Sequence, residues 1–543
     1  LVYTIHLREG LKWSDGVEST ADEWVWYSKN VLLNEEINPG RDGQIGWSGF
    51  APSVSKVDKY TVQLTLEERG DAFVDELGTY KTGGYTLHGR LASGLYGPIH
   101  YLKTKHRDFA DDQAAYDKMV KDAGFDSWPL YFKEQGDPLR SLDVPVMSPW
   151  KMTSPITANI YEWERNPYYY GVDPVGNQLP YIDKISMQLT GDKEVLNLRA
   201  IAGEIDFQHR HIEMAKVPVF LENAEKNNYQ MRMWNSHNAQ AGIAFNMTYG
   251  LGEPKAFDAD PEIQKWLFNK DFRIALSMAV DRQRINEVVF LGLGKVKQNT
   301  YIKGHPFYPG EEYELKYTEQ DIDAANALLD KIGLKDTDNN GIRNRSDGQG
   351  DLVIEFVYIA EYFLDYESIA QLAQEDFAKI GIKTFLKAED VALFVERRSD
   401  SAHQILVDGG DQRDPISMRA GRSSWWAYGQ WYSAGKKISG LGDPTASPMD
   451  DPVIARVVEL TDQGQQLRYA DRADVYIELQ QLNIDNMWFM GIAGDTAAFN
   501  GVIVMKNNLK NVPMLAPNQS PLQNPGIGRP QTWYFEGGKN DSE

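Results

Sequence analysis

Residues 405–432, ILVDGGDQRDPISMRAGRSSWWAYGQWY, gather the side-chain types that a small-molecule site needs. Three apolar residues open the stretch as a buried strand would. Gly409 and Gly410 follow, and a residue without Cβ lets backbone approach another body closely. Asp408, Asp411 and Asp414 bring carboxylates, Arg413, Arg419 and Arg422 bring guanidinium groups, and Trp425, Trp426, Tyr428, Trp431 and Tyr432 bring flat faces. A carboxylate pairs an ammonium or accepts hydroxyl hydrogen bonds, and flat rings stack on sugars or line side-chain pockets. A strand that opens into such a loop is the usual place for a ligand in an α/β lobe. The same composition also fits a strand followed by a core helix rich in aromatic residues. The expected ligand-binding residues are Asp408, Asp411, Arg413, Trp425, Trp426, Tyr428 and Trp431.

A second motif, DTDNNGIRNRSD at 336–347, has the oxygen spacing of a calcium loop with Gly341 at the sixth position. Asp336, Asp338, Asn340 and Asp347 would be the ligands of a structural calcium; no other cofactor is expected. Asp stands where that loop usually has Glu, and Arg343 and Arg345 lie inside it, so a plain surface turn also fits. Enzyme signatures are lacking: the chain has no GxSxG elbow, Walker loop or HExxH. His209 and His211 alternate on a short segment, and two lone histidines do not make a metal site. Gly292-Leu293-Gly294-Lys295 follows a helix, the wrong order for a phosphate cradle.

The elements that must position these residues belong to a chain of 543 residues, more than one core usually holds, so two or three domains are expected. A net charge of −22 argues against nucleic acid and anionic membrane as partners. The absence of cysteine removes disulfides, thiolate catalysis and Cys-based zinc sites. No apolar run is long enough to span a membrane. The chain starts inside a strand with no initiator Met and no signal peptide, which suggests a processed N-terminus.

Alternation predicts strands at 1–7, 60–66, 160–165 and 182–189, with extended segments at 229–234 and 241–246. Thr20 and Glu23 have the spacing of a capping box for a helix carrying Trp24, Tyr27, Val31 and Leu32. A single helix is expected from Asp271 to Phe290, stopped by Gly292. Strand 352–358, helix 368–380 and strand 382–386, joined at glycines, read as a βαβ unit with parallel pairing. Helices are expected at 193–202, 322–332, 453–467 and 471–485.

Four segments resemble one family in the same order: YTIHLREGLKWSDGVESTADEWVWY, IYEWERNPYYYGVD, RAIAGEIDF and KDFRIALSMAVDRQRI. The chain resembles the family 5 extracellular solute-binding proteins of ABC importers for peptides, nickel, opines and oligosaccharides. The resemblance implies an α/β, two-lobe periplasmic-binding-protein-like fold of type II, in the large class with an extra subdomain on lobe one. Laid on this sequence, 1–145 is the extra subdomain, 146–235 is lobe one with 492–543 returning to it, and 236–491 is lobe two. Crossings between lobes then fall near 235–240 and 487–491. The family has further strands before the YTIHLREG strand, and without them lobe one would expose a sheet edge. In peptide-binding members an Asp-aromatic-x-acid-Pro loop holds the peptide amino terminus. Asp411-Gln412-Arg413-Asp414-Pro415 is similar, with Gln412 in place of the aromatic residue.

The resemblance implies a non-catalytic protein on the periplasmic side or outer face of the cytoplasmic membrane. It would capture an oligopeptide or oligosaccharide by hinge closure and deliver it to the permease of an ABC importer. A monomer is expected that meets the membrane only through the permease or a lost lipid anchor, and that binds no nucleic acid. The alternative of another class is a secreted carbohydrate-active hydrolase, because aromatic residues and carboxylates also suit sugar cleavage.

Overall fold

The alternating LVYTIHL forms β1 (Val2–His6), half-buried at every second residue. In the computed structural model it pairs antiparallel with a hairpin of β2 (Ser53–Asp58) and β3 (Thr61–Thr65), in the order β1-β3-β2. The structure describes residues 1–39, 51–67, 73–77, 86–88, 91–235, 239–247, 249–250, 259–360, 362–399, 402–409, 452–498, 500–517 and 525–538. Contacts divide the chain into two compact units. One comprises 1–191, 508–512 and 529–543; the other comprises 192–507 and 513–528. The lobe bounds expected near 145, 235 and 491 rest on the family resemblance, a different criterion from these contacts.

In the first unit, α1 (Ala21–Tyr27) packs Trp24 and Tyr27 into a core with Leu64, Phe73 and Phe132. The expected capping box does not form. Thr20 sits at the N-cap without a side-chain bond, and Glu23 turns inward. Its carboxylate accepts from Trp13 Nε1 at 2.6 Å and from the Ser19 hydroxyl. Burying the Trp13 indole and Ser19 hydroxyl beside it requires an acceptor, which outweighs the cap. A second antiparallel sheet runs β4 (Trp150–Met152), β5 (Ile160–Arg165), β6 (Lys184–Gln188).

The second unit contains two sheets. β7 (Phe207–Gln208) and β8 (Tyr229–Met233) flank a late strand in a three-stranded antiparallel sheet. The larger sheet holds β9 (Ala239–Phe245), β10 (Lys295–Val296), β11 (Val353–Ile359), β12 (Lys383–Glu389), β13 (Ile405–Asp408) and β14 (Phe489–Gly494). Their order is β10-β14-β9-β13-β11-β12. β15 (Val502–Lys506) is the central strand of the smaller sheet. β11 pairs parallel with β12 and β13, so the βαβ reading of this stretch holds and the fold is α/β. The chain therefore passes between the two sheets twice, once from β8 to β9 and once from β14 to β15. Met487, in the left-handed region (φ 48), caps the helix that precedes β14. Trp234, fully buried, ties the two crossings together by donating its backbone N–H to Gly501 O at 2.9 Å. A Cβ on Gly501 would sit 2.0 Å from Trp234 O, so that approach requires glycine.

The long helix expected from Asp271 is two helices, α2 (Lys270–Ala279) and α3 (Arg282–Phe290). Val280 is extended (φ −76, ψ 124) and Asp281 caps α3 by accepting from Arg284 N. The break lets the buried Arg282 reach carbonyls on three sides: Gly491 O at 2.8 Å, Ser277 O at 2.7 Å and Thr318 O at 3.3 Å. Arg273 is likewise buried, donating to Asn486 O at 2.9 and 2.7 Å and to Leu267 O at 2.6 Å. Asn486 ends α4 (Ala473–Asn486), so both arginines join this helix pair to the segment that leads through β14.

Glu23 gives the first testable consequence. Burial, opposed by its two donors, pushes its carboxyl from the ordinary 4.5 up to about 7. A carboxyl whose folded-state pKa is raised stabilises the fold below the unfolded value and loses that contribution as pH rises through the folded value. The difference between 4.5 and about 7 corresponds to roughly 3 kcal/mol. Thermal melts of Glu23→Gln against wild type between pH 4.5 and 8 should show wild type losing stability with rising pH relative to the variant. Parallel curves would refute this.

Candidate functional site

β11, β12 and β13 run parallel, and β14 runs in the same direction because both it and β13 are antiparallel to β9. Their carboxyl ends therefore share one edge of the large sheet, where Ile359, Glu389, Asp408 and Gly494 stand and both crossings depart. In open α/β sheets this is the edge on which ligands bind.

Asp408, the last residue of β13, lies opposite Gly242 and is nearly fully buried. Its Oδ1 accepts the Gly409 N–H at 2.8 Å. A Cβ on Gly242 would meet the Phe489 ring at 2.2 Å, which is how the sheet brings β9 close beneath this end. The strand reading of 405–408 holds. Asp411, Arg413, Trp425, Trp426, Tyr428 and Trp431 lie outside the described residues.

Two further groups stand at this edge. The segment following β11 carries Tyr362 and Phe363, with ring centroids 4.3 Å apart. The segment following β7, from the smaller sheet, reaches the same ring. His211 lies 4.7 Å from Phe363, and the Arg210 guanidinium is 5.6 Å from its centroid, within cation–π range. His211 is held in the left-handed region (φ 61), uncommon for a residue with a side chain. Burial, followed by the charges of Lys193 and Arg210, lowers its pKa and favours the neutral ring. Loops from both sheets thus converge on Phe363.

Asp495 opens the second crossing. Lys297 Nζ lies 3.2 and 3.4 Å from its two oxygens and 3.4 Å from Glu314. Burial raises the Asp495 pKa, and the Lys297 charge pulls it back. Sequence reasoning missed this pair, as well as Arg210 and Phe363, because it followed one strand-end loop, and it weighed His211 only as a metal ligand. The aromatic run YIAEYF after an apolar strand was the available signal for Phe363; nothing local marks Asp495.

The 336–347 loop is organised by arginines. Asp347 is engaged on both oxygens by Arg345, at 3.0 and 2.6 Å, and Arg345 continues to Asp260. Asp336 Oδ2 accepts the Gly341 N–H at 2.8 Å, and the two oxygens of Asp338 accept the Asn340 N–H at 3.3 Å and Asn340 Nδ2 at 3.2 Å. Arg343 turns inward to Ile380 O at 2.8 Å and Asp330 at 2.6 Å. Among the described residues no three His, Asp or Glu side chains gather as metal ligands. With a guanidinium on Asp347, these four residues do not fit a calcium ion.

Residues 1–432 match the family model described as bacterial extracellular solute-binding proteins, family 5 middle. A periplasmic alpha-galactoside-binding protein of Rhizobium meliloti (strain 1021) is 29% identical over 444 residues, covering 78% of this chain and 54% of the relative. The oligopeptide-binding protein AppA of Bacillus subtilis (strain 168) is 24% identical over 402 residues, 73% of this chain and 60% of that protein. The chain thus spans little more than half the length of these curated relatives. Among solved structures, an oligopeptide-binding protein OppA has 28% identity and a TM-score of 0.67, covering 98% of this chain and 83% of that one. The fold is also that of the periplasmic binding protein MelB from Agrobacterium fabrum C58, in complex with stachyose (TM-score 0.72, 21% identity, covering 100% of this chain and 76% of that one).

The arginine-held loop predicts its own behaviour. Chelation should leave the melting temperature unchanged, whereas Arg345→Ala should lower it slightly, because both carboxylates it pairs are partly exposed to water. A melting temperature that falls with chelator and recovers with calcium would reverse this assignment.

Proposed function

The chain belongs to the family 5 bacterial extracellular solute-binding proteins, and from that premise we propose that it captures a neutral oligosaccharide outside the cytoplasmic membrane and delivers it to an ABC importer. The observation that carries this reading is the shared carboxyl edge of the large sheet, bounded by the two crossings and met by a loop from the other sheet at Phe363. A ligand held there touches groups on both sides of the crossings, so it favours the state in which they approach. That is capture by population shift. The lobes proposed are 146–235 with 492–543, carrying 1–145 as an extra subdomain, and 236–491.

A sugar is favoured over a peptide by the alpha-galactoside-binding relative, which is more similar to this chain than AppA. The partially exposed rings of Tyr362 and Phe363 suit the apolar faces of pyranoses. An oligopeptide is the second reading, supported by the likeness to OppA and by the Asp411–Pro415 loop. The protein acts as a monomer and needs no cofactor.

Thermal melts with raffinose, stachyose and di- to hexapeptides test the reading. A ligand at a hundredfold excess over Kd should add about 2.7 kcal/mol of stability. Stachyose recovered intact after prolonged incubation supports binding, and its cleavage would establish the hydrolase instead. No shift with any sugar, beside a shift with a peptide, would replace the first reading by the second.

Two substitutions separate the classes further. A peptide ammonium in a water-poor site needs a carboxylate, so Asp411→Asn should cost a peptide about 2–5 kcal/mol. It should cost a sugar only about 1–2 kcal/mol, since an amide still accepts a hydroxyl. Trp426→Ala should show the opposite order if the indole stacks on a sugar. Calorimetry with the retained ligand decides, and unchanged affinity in both variants would remove 405–432 from the site.

A further inference from the structure

Asp495 ends the path of β14 and begins the second crossing with its backbone in the left-handed region (φ 58). Such conformations are costly for residues with a side chain and persist where the surroundings enforce them, often at functional sites. Its carboxylate is hydrogen-bonded to one ammonium. Lys297 Nζ is 3.2 Å from Oδ1 and 3.4 Å from Oδ2, and Lys297 is 0% exposed while the Asp495 side chain is 24% exposed. Behind Lys297 stands Glu314, which already receives Lys295 at 2.7 Å and the Tyr308 hydroxyl at 2.9 Å. The two lysines and two acids form a cluster without net charge, in which Lys295 is exposed and Asp495 is the partly exposed acid. Asp408 stands on the same edge, across the intervening β9, roughly 10 Å away at two strand spacings.

We infer that Asp495 is a ligand-contacting, specificity-determining residue that accepts hydrogen bonds from the hydroxyls of a neutral oligosaccharide and gives a peptide ammonium no advantage. The inference rests on the sugar-binding reading above. An ionised carboxylate offers about four lone-pair sites. Lys297 occupies the buried side, and the remainder face solvent at the crossing. A hydroxyl donating there makes a charge-assisted bond, roughly twice as strong as a neutral one. An ammonium leaving water needs an uncompensated negative charge to offset its desolvation, and here Lys297 has already balanced it. Lys297 is a positioning residue. It aims the carboxylate and keeps it ionised against burial. Because Asp495 lies on a crossing, the same bond couples ligand occupancy to the segment that must bend.

Calorimetry of wild type, Asp495→Asn, Asp495→Glu and Lys297→Met with stachyose and with trialanine tests this. Asp495→Asn should weaken stachyose about ten- to a hundredfold, the loss of hydrogen bonds to a charged group. Asp495→Glu, which keeps the charge on a longer arm, should also lose affinity and covers the case in which the amide folds poorly. Lys297→Met should move the acid limb of the stachyose pH profile upward. With Glu314 and Lys295 still facing it but its own cation gone, Asp495 takes up a proton at higher pH, and affinity falls as pH drops through that midpoint. A purely structural role leaves the midpoint in place. Stachyose affinity unchanged in Asp495→Asn overturns the assignment, as does a midpoint that does not move. Tight wild-type binding of trialanine that Asp495→Asn abolishes also overturns it, because the ammonium would then be the recognised group. A wild type that binds neither ligand overturns the functional reading and this inference together, whereas stachyose binding insensitive to Asp495 overturns this inference alone.

Discussion

The second unit depends on how it keeps arginine charge away from water. Arg282 is fully buried, and among the described residues its hydrogen-bond partners are three carbonyls and the Ser277 hydroxyl rather than a carboxylate. Burial lowers its pKa to about 9, so it still carries its proton at neutral pH. A guanidinium has five donors in a fixed fork, and only a particular arrangement of acceptors satisfies them. Those acceptors come from the end of α2, from the segment before α5 (Ile322–Lys331) and from Gly491 in the middle of β14. Arg273 repeats the arrangement one helix earlier, clasping the end of α4. Hydrophobic burial is non-directional and does not set the register of a helix pair against a strand; these two cations do.

That register has consequences at the carboxyl edge. β14 leads directly into Asp495 and the second crossing, so Arg282, which holds Gly491, also places the carboxylate four residues on. Lys297 approaches from the neighbouring segment, where its backbone N–H donates to Ile492 O at 3.3 Å. The first crossing is tied to the second through Trp234 and Gly501. The carboxyl edge is therefore supported from below by buried cations with neutral acceptors, and Asp495 at that edge is matched by the buried Lys297. Charge within this cluster of two lysines and two acids is balanced.

The same logic governs the 336–347 loop. A spacing that could gather oxygens around a cation contains two arginines. Arg343 turns into the core to satisfy carbonyls, and Arg345 lies between Asp347 and Asp260. The loop carries its positive charge covalently, and Gly341 (φ 88) allows the turn.

The sequence alone determined what depends on local pattern. Period-two alternation marked β1, β3 and β5; glycine joints between an apolar strand, a helix and another strand marked the parallel β11–β12 unit; and ordered motifs marked the family. These follow from steric and hydrophobic preferences acting over a few residues. It also led to 405–408 as a strand, through an apolar run meeting a glycine pair. It could not locate Asp495, Lys297, Arg210 or Phe363, because their meaning comes from partners 198 residues apart in one case and from segments of different sheets in the other. Nor could it foresee the break at Val280 or the inward turn of Glu23. A helical stripe continues through DFRIALSMAVDRQRI, and Thr20–Glu23 has the spacing of a cap. In each case a buried polar group required partners that only the folded chain brings within reach, and satisfying it outweighed local propensity. Tertiary structure decided which charges are buried, because only the folded chain brings their partners together.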